Sequence, residues 1–558
     1  MKWWWVGGGI VAILLLAALV VDGDPAGIVS ARFEARTDAN RAYDGMELTP
    51  GQRGAVYFAT GDWSALSAEA LEVNASPWKL STALLALRAS GGRLEAVTPE
   101  AVEAVFRRYG FIVPERIANW PEGLKPPKLR YPLGQNVGVG ARWVPPLQLT
   151  VGNVSCAACH ASVVYGADGE PDTSAVWLGM PNGSVNLERY VDELYVALRD
   201  RPADEVIWAA VQKLYPDTEW REWLTLKGVV LPRVAELVAD REASIGRLLP
   251  FSVSTAGATN GLQALQVRLG IIPQHQLVDL SVPISVPELG GRIWRSSLLA
   301  AGSYAVAGEE PQREMRAADL TPGHLRALAG ITAFFTVPSM GNSPETAARH
   351  VDDADDIMQW LRTYAPQPFP GRVDEGLAAR GAEVYSAECA ACHGTYQGGL
   401  SPELVAFPNW QGDVGTDKAY LSVFDAATVE AVNRLGYGGM LAGRVSPGYV
   451  AQPLVGLWSS APYLHNGSVP TLWHLMHPEA RPKLFEVGGH KLDLARVGIA
   501  GEDDGQGGWA RPAGYEPWTE PVRVDTGVAG LGAAGHEAPF DAMSEADKAA
   551  LLEYLKLL

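Results

Sequence analysis

The order of apolar and polar positions divides the chain before any chemistry is considered. Residues 3–21 carry no charge, and at about 1.5 Å rise per residue they span about 28 Å, close to the hydrocarbon thickness of a bilayer. Lys2 precedes this run and Asp22 and Asp24 follow it, which predicts a transmembrane helix with a cytoplasmic N-terminus. The run ends in Leu19-Val20-Val21 with no small-x-small site, so an anchor is favoured over a cleaved signal segment. Further on, apolar positions at helical spacing predict helices at 81–90, 98–109, 187–199, 203–214 and 230–243, and the stretch 120–155 reads as loops. Asp352-Asp353-Ala354-Asp355-Asp356 opens another helix reaching Trp360 and Leu361, its charges suited to the positive end of the helix dipole.

Ala365-Pro366-Gln367-Pro368-Phe369-Pro370-Gly371 is a stiff spacer that no helix interior tolerates, and it marks a boundary. Beyond it, Asp374 caps a helix whose positions Leu377, Gly381, Val384 and Tyr385 run into Cys389. Ser544-Glu545-Ala546-Asp547 opens a last helix through Leu551, Leu552, Tyr554 and Leu555. The expected organisation is a membrane segment at 1–27, a first domain with insertions at 28–365 and a second domain at 366–558. The fold class is mainly α, and 60 Gly with 39 Pro add extensive ordered loops.

Charge narrows the function. Lys and Arg number 45 against 63 Asp and Glu, a net charge of −18, which is the wrong sign for binding along nucleic acid and suits partners with basic docking faces. All four cysteines fall in two copies of one pattern, Cys156-Ala157-Ala158-Cys159-His160 and Cys389-Ala390-Ala391-Cys392-His393. Two thiols one helical turn apart can add to the two vinyl groups of a porphyrin, and the adjoining His then reaches the iron. Two zinc knuckles would need second ligand pairs that the chain lacks. The pattern therefore predicts two covalently attached haem c groups, with His160 and His393 as the first axial ligands. Met440, 47 residues after His393 in a Gly-rich loop, is a candidate opposite ligand for the second haem.

Ser460-Ala461-Pro462-Tyr463-Leu464-His465-Asn466-Gly467-Ser468-Val469-Pro470-Thr471-Leu472, then Arg481-Pro482 and Phe485, resembles a segment of the bacterial di-haem cytochrome c peroxidase superfamily. Gly415-Thr416-Asp417, Gly456-Leu457-Trp458 and Ala534-Gly535-His536-Glu537 are similar to its rubber-oxygenase-like branch, which includes di-haem dioxygenases. The resemblance is dense over 365–558 and sparse over 120–365. It implies two cytochrome-c-like haem domains; the two terminal helices of the second resemble the ordinary cytochrome c fold, in which first and last helices cross at a glycine, here Gly381. It also implies that His536 is the distal ligand of the second haem in preference to Met440, and that the first haem is open to a small oxidant. Trp294, Tyr304, Phe334 and Phe335 are the expected catalytic wall of that open site, with plain core packing as the alternative for each. His465 orders the loop around the site, and Trp177 lies between the haems or in the core. Met180 sits in a turn, and His474 and His477 flank a helix and are expected in solvent.

The implied activity is that of a haem oxidoreductase on the periplasmic face of the cytoplasmic membrane. Peroxide, dioxygen or an apolar unsaturated molecule are the substrates it suits, and a redox protein or quinol-linked donor would supply electrons. Residues 255–270 depart from the glycine, arginine and aspartate pattern of the branch, which leaves the substrate class open. The competing class is an electron carrier with two six-coordinate haems and no catalytic site.

Overall fold

The computed structural model describes residues 35–61, 76–142, 147–245, 253–271, 282–339 and 344–558, apart from 436 and 438. Two pairs of crossed helices organise them. The N-terminal pair is Pro50–Thr60 against Val351–Leu361. Thr49 starts its first helix with a reciprocal capping box to Gln52, and Pro50 supplies a preset φ at the first position. The helices meet so closely at Gly54 that a Cβ there would overlap the Asp356 carbonyl oxygen. Arg53 forks onto the Asp356 carboxylate at 2.7 and 2.9 Å, and the Phe58 and Trp360 rings lie 4.5 Å apart one turn further on.

The C-terminal pair, Glu375–Glu388 against Glu545–Leu555, repeats this plan. Asp374 and Ser544 cap the two helices, and a Cβ on Gly381 would overlap the Ala550 carbonyl oxygen. Arg380 binds Asp547 at 2.7 Å, and Tyr385 packs on Tyr554 at 5.4 Å. Arg-Gly-Ala thus occurs at 53–55 and 380–382, each time with an aromatic four residues after the glycine.

The two units differ in what is threaded between the parts. In the C-terminal unit Cys389 directly follows its helix. In the N-terminal unit helices Trp78–Ala89 and Pro99–Arg108 and a strand pair, Gln135–Arg142 with Leu147–Val154, intervene before Cys156. A second hairpin, Ala161–Tyr165 with Pro171–Leu178, then leads to helices Leu187–Arg199, Asp204–Leu214 and Leu231–Ile245. The inserted layer has its own aromatic core, in which Trp78 stacks on Phe106 at 5.4 Å and Phe106, Phe111 and Tyr190 pack edge to face.

The fold is therefore less purely helical than expected. The described residues form eight sheets of two to four strands, and 120–155, expected as loop, contains the longest hairpin. Gly138 and Gly140 alternate with Val137 and Val139 there, so the period-two apolar signal is diluted to a glycine-rich stretch. No helix among the described residues is long and apolar enough to cross a membrane, and the expected anchor at 3–21 lies outside them.

Candidate functional site

In the C-terminal unit, Cys389 ends the first crossed helix and Ala390–His393 forms the next turn, which brings both thiols and the imidazole to one place. Burial pushes the Cys389 thiol up to about 12 and also raises Cys392. His393 donates from Nδ1 to the Gln452 carbonyl at 2.9 Å, which fixes the tautomer and leaves Nε2 as the free lone pair. The ring of His536 faces it, centroid to centroid 5.9 Å at 52°. Two metal–nitrogen bonds of about 2 Å, plus about 1 Å from each nitrogen to its ring centre, come to about that separation. Desolvation, with His393 adding to it, pulls His536 down to about 4, so the imidazole is neutral near neutrality.

The motif segments of this unit converge on the loop that delivers His536. The residue sits at φ 57 after Gly535 at φ 93, a left-handed path that Gly535 permits because a Cβ there would collide with the Thr416 amide. His536 N–H donates to the Val414 carbonyl at 2.7 Å. Arg481 donates to the carbonyls of Ala533 and Gly535 at 2.6 and 2.9 Å, and the Asp417 carboxylate accepts from Gly530 N–H. Asn466 donates to the carbonyls of Gly530 and Gly532, and Ser468 to that of Gly532. His465 stacks on Tyr449 at 3.9 Å inside this clamp. Three separated sequence segments therefore share one task, holding a strained loop in place.

The N-terminal unit repeats the proximal half. Cys156–Cys159 is a single turn, Gly134 packs so tightly against it that a Cβ would strike Ala158, and burial pushes both thiols up to about 12. His160 donates from Nδ1 to the Pro287 carbonyl at 3.0 Å, and desolvation lowers it to about 4. The Phe58 ring lies 6.5 Å from it. Among the described residues no second imidazole ring packs against His160. Met180 is buried, and its turn folds back on the motif through Gly179 N–H to the His160 carbonyl and Asn182 N–H to that of Cys159.

Between the two units lies a buried carboxylate. Glu288 is 3% exposed, accepts from Tyr364 at 2.6 Å and Ser459 at 3.1 Å, and burial raises it to about 7. Trp177 lies beside Tyr364, half-buried, its indole donating to the Ala365 carbonyl at 3.0 Å. Sequence reasoning missed Gly54, Phe58, Glu288, Arg292 and Gln452. The capping box Thr49-Pro50-Gly51-Gln52 and the repeated Arg-Gly-Ala were the available signals for the first two.

The four expected wall residues are divided. Tyr304, Phe334 and Phe335 cluster with Phe424 and Tyr437, Tyr304 sitting on a strand paired with Leu441–Gly443 of the C-terminal unit. Trp294 stands apart, its carbonyl accepting from Asn409. Phe58, on the first crossed helix, is the ring against His160. Met440 packs on Gly330 of helix Pro322–Ser339. His474 and His477, expected in solvent, are both buried: His474 bonds Thr471 at 2.8 Å, and His477 bonds the Trp473 carbonyl and Glu545. Their helix is a short connector packed under the loop clamp, a setting its five residues do not disclose.

The residues fit a haem on two counts. The facing imidazoles leave a metal-sized separation. Arg295, 1% exposed beside Gln452, has an Nε without an acceptor among the described residues, a demand that a porphyrin carboxylate would meet.

Comparison with known proteins agrees. Residues 448–486 match the family described as RoxA-like, cytochrome c-like, and residues 376–447 match cytochrome c oxidase, cbb3-type, subunit III. The chain is similar to two uncharacterized proteins of Sinorhizobium fredii. To y4iM it is 33% identical over 25% of this chain and 38% of that one; to y4iJ it is 26% identical over 35% and 40%. The chain thus spans about two fifths of the curated relatives it matches. These matches support a cytochrome c family for the chain and imply covalently bound haem c.

Proposed function

We propose that the protein is a di-haem c-type redox enzyme of the rubber-oxygenase-like branch, holding one haem at Cys156, Cys159 and His160 and one at Cys389, Cys392 and His393. The division 1–27, 28–365 and 366–558 gives it an anchor at 3–21 and two haem domains on the periplasmic side. Bound haem would supply one-electron storage at the second site and reactivity toward peroxide or dioxygen at the first. His393 and His536 would fill both axial positions at the second site. His160 would fill one at the first, beside the inserted layer that shields it from water. An apolar unsaturated molecule is the organic substrate such a site suits, and electrons would come from a redox protein or quinol-linked donor.

The observation that carries this reading is the asymmetry between the two histidine settings: His393 faces a second imidazole, and His160 faces none among the described residues. Absorption and electron-spin resonance of purified holoprotein test it. One low-spin and one high-spin centre per chain, the latter forming a carbon monoxide adduct, is the expected result. Two low-spin centres with no adduct would instead establish an electron carrier. Turnover with peroxide, unsaturated fatty acid and polyisoprene in parallel then assigns the substrate.

A further inference from the structure

The two proximal histidines are joined by a continuous path through the interior. From His160 Nδ1 it enters the Pro287 carbonyl at 3.0 Å and passes along one peptide to the Glu288 carbonyl. Arg292 Nε donates to that carbonyl at 2.7 Å, and its Nη1 donates to the side-chain oxygen of Gln452. The main-chain carbonyl of Gln452 then accepts from His393 Nδ1 at 2.9 Å. Four hydrogen bonds and three short covalent pieces complete the route. Arg295 also donates to the Gln452 side-chain oxygen, at 3.1 Å, and Gln452 Nε2 donates to the Val450 carbonyl at 2.7 Å, so the amide's orientation is fixed from both ends. No other side chain of the described residues bonds groups on both proximal carbonyl segments in this way.

Resting on the di-haem reading above, we propose that Arg292 and Gln452 form the bridge coupling the two haem sites, acting as positioning residues through the Glu288 carbonyl next to Pro287 and the Gln452 side chain. The bridge passes one electron from the centre at His393, which is oxidised, to the centre at His160, which is reduced; no bond forms or breaks and no proton is exchanged. Arg292 bonds beside each imidazole's acceptor, at the Glu288 carbonyl one peptide from Pro287 and at the Gln452 side-chain oxygen, so one guanidinium fixes both segments that orient the imidazoles. A change of charge at one site is therefore felt at the other through a fixed hydrogen-bonded network. Trp177 supplies no link of this path, since its indole is bonded to the Ala365 carbonyl.

Gln452→Leu tests the bridge, because it keeps the main-chain carbonyl and removes only the side-chain acceptor. After partial reduction of holoprotein by a small one-electron reductant, electron redistribution between the two centres is followed by their separate absorbance changes. Gln452→Leu is expected to slow redistribution about tenfold, with haem content and low-spin signature unchanged. Gln452→Glu, which restores an oxygen acceptor for Arg292 and Arg295, is expected to recover most of the rate, and Trp177→Phe to stay within about twofold of wild type. Wild-type redistribution in Gln452→Leu, or loss of the rate in Trp177→Phe alone, overturns the bridge. Should Gln452→Leu fail to incorporate haem, Arg292→Lys, which keeps the charge but cannot bond both carbonyl segments, carries the same expectation and the same refutation. A wild-type protein with one haem per chain refutes the di-haem reading itself, and haemochrome quantification shows that outcome before any rate is measured.

Discussion

The N-terminal and C-terminal helix pairs solve the same packing problem with the same parts, yet the chain arrives at them differently. Both close over a glycine, both place an arginine before it to bind an aspartate across the crossing, and both stack aromatics one turn later. Both then hang a proximal histidine from the carbonyl of a distant loop. The difference lies outside this frame: the C-terminal unit uses its loops to present His536, and the N-terminal unit carries an inserted layer with its own aromatic core. A shared scaffold thus fixes where each histidine is held, and under the proposed reading the additions would decide what the far side of each haem meets.

Breaking the frame should affect the two units alike. Cys389→Ser with Cys392→Ser should abolish attachment at one site and leave one haem per chain by haemochrome assay, and the Cys156 and Cys159 counterpart should do the same at the other. Gly54→Leu and Gly381→Leu should each cost about 3 kcal/mol or more, because the obstacle is a backbone carbonyl that cannot move aside. Denaturant unfolding of both variants measures this, and a cost confined to one crossing would end the parallel.

Breaking the additions should separate the units. His536→Ala should convert the second centre to high spin without touching the first, and Met440→Ala should not; the reverse result would reassign the ligand. His465, His474 and His490, all in the C-terminal unit, are held by burial at about 4, against an unperturbed 6.5. Folded they stay neutral while the unfolded chain takes up protons. Their contribution is thus complete above about pH 6.5 and is lost as pH falls toward 4, by up to about 3 kcal/mol each. Hydrogen exchange at pH 7.5 and pH 5 should show the C-terminal unit loosening more. The smallest effect belongs to Tyr385, whose hydroxyl donates to the Gly394 carbonyl at 2.9 Å where Phe58 has none. Tyr385→Phe should cost about 1 kcal/mol by thermal melting.

The legible parts of this molecule were those written in local chemistry. The caps at Asp374 and Ser544 and the glycine at 381 sit beside the residues they serve. The partner of Gly54 is Asp356, and no local pattern reports a contact across that distance. The strand pair 135–142 and 147–154 was obscured by its glycines, and the burial of His474 and His477 depends on Trp509 and Glu545, which lie far along the chain. Glu288, Arg292 and Gln452 carry no motif at all, because their meaning is set only when two remote carbonyls are brought to two imidazoles.

The Arg53–Asp356 contact links positions 303 residues apart, whereas Arg380–Asp547 links positions 167 apart. During synthesis the Arg53–Asp356 crossing therefore cannot close until most of the chain has emerged. Closure of a distant contact is slow because the chain between must first be gathered. Under the proposed di-haem reading, porphyrin ligation at the first motif would compete with thiol oxidation, and a delay in haem supply should then damage the earlier-made site more than the later one.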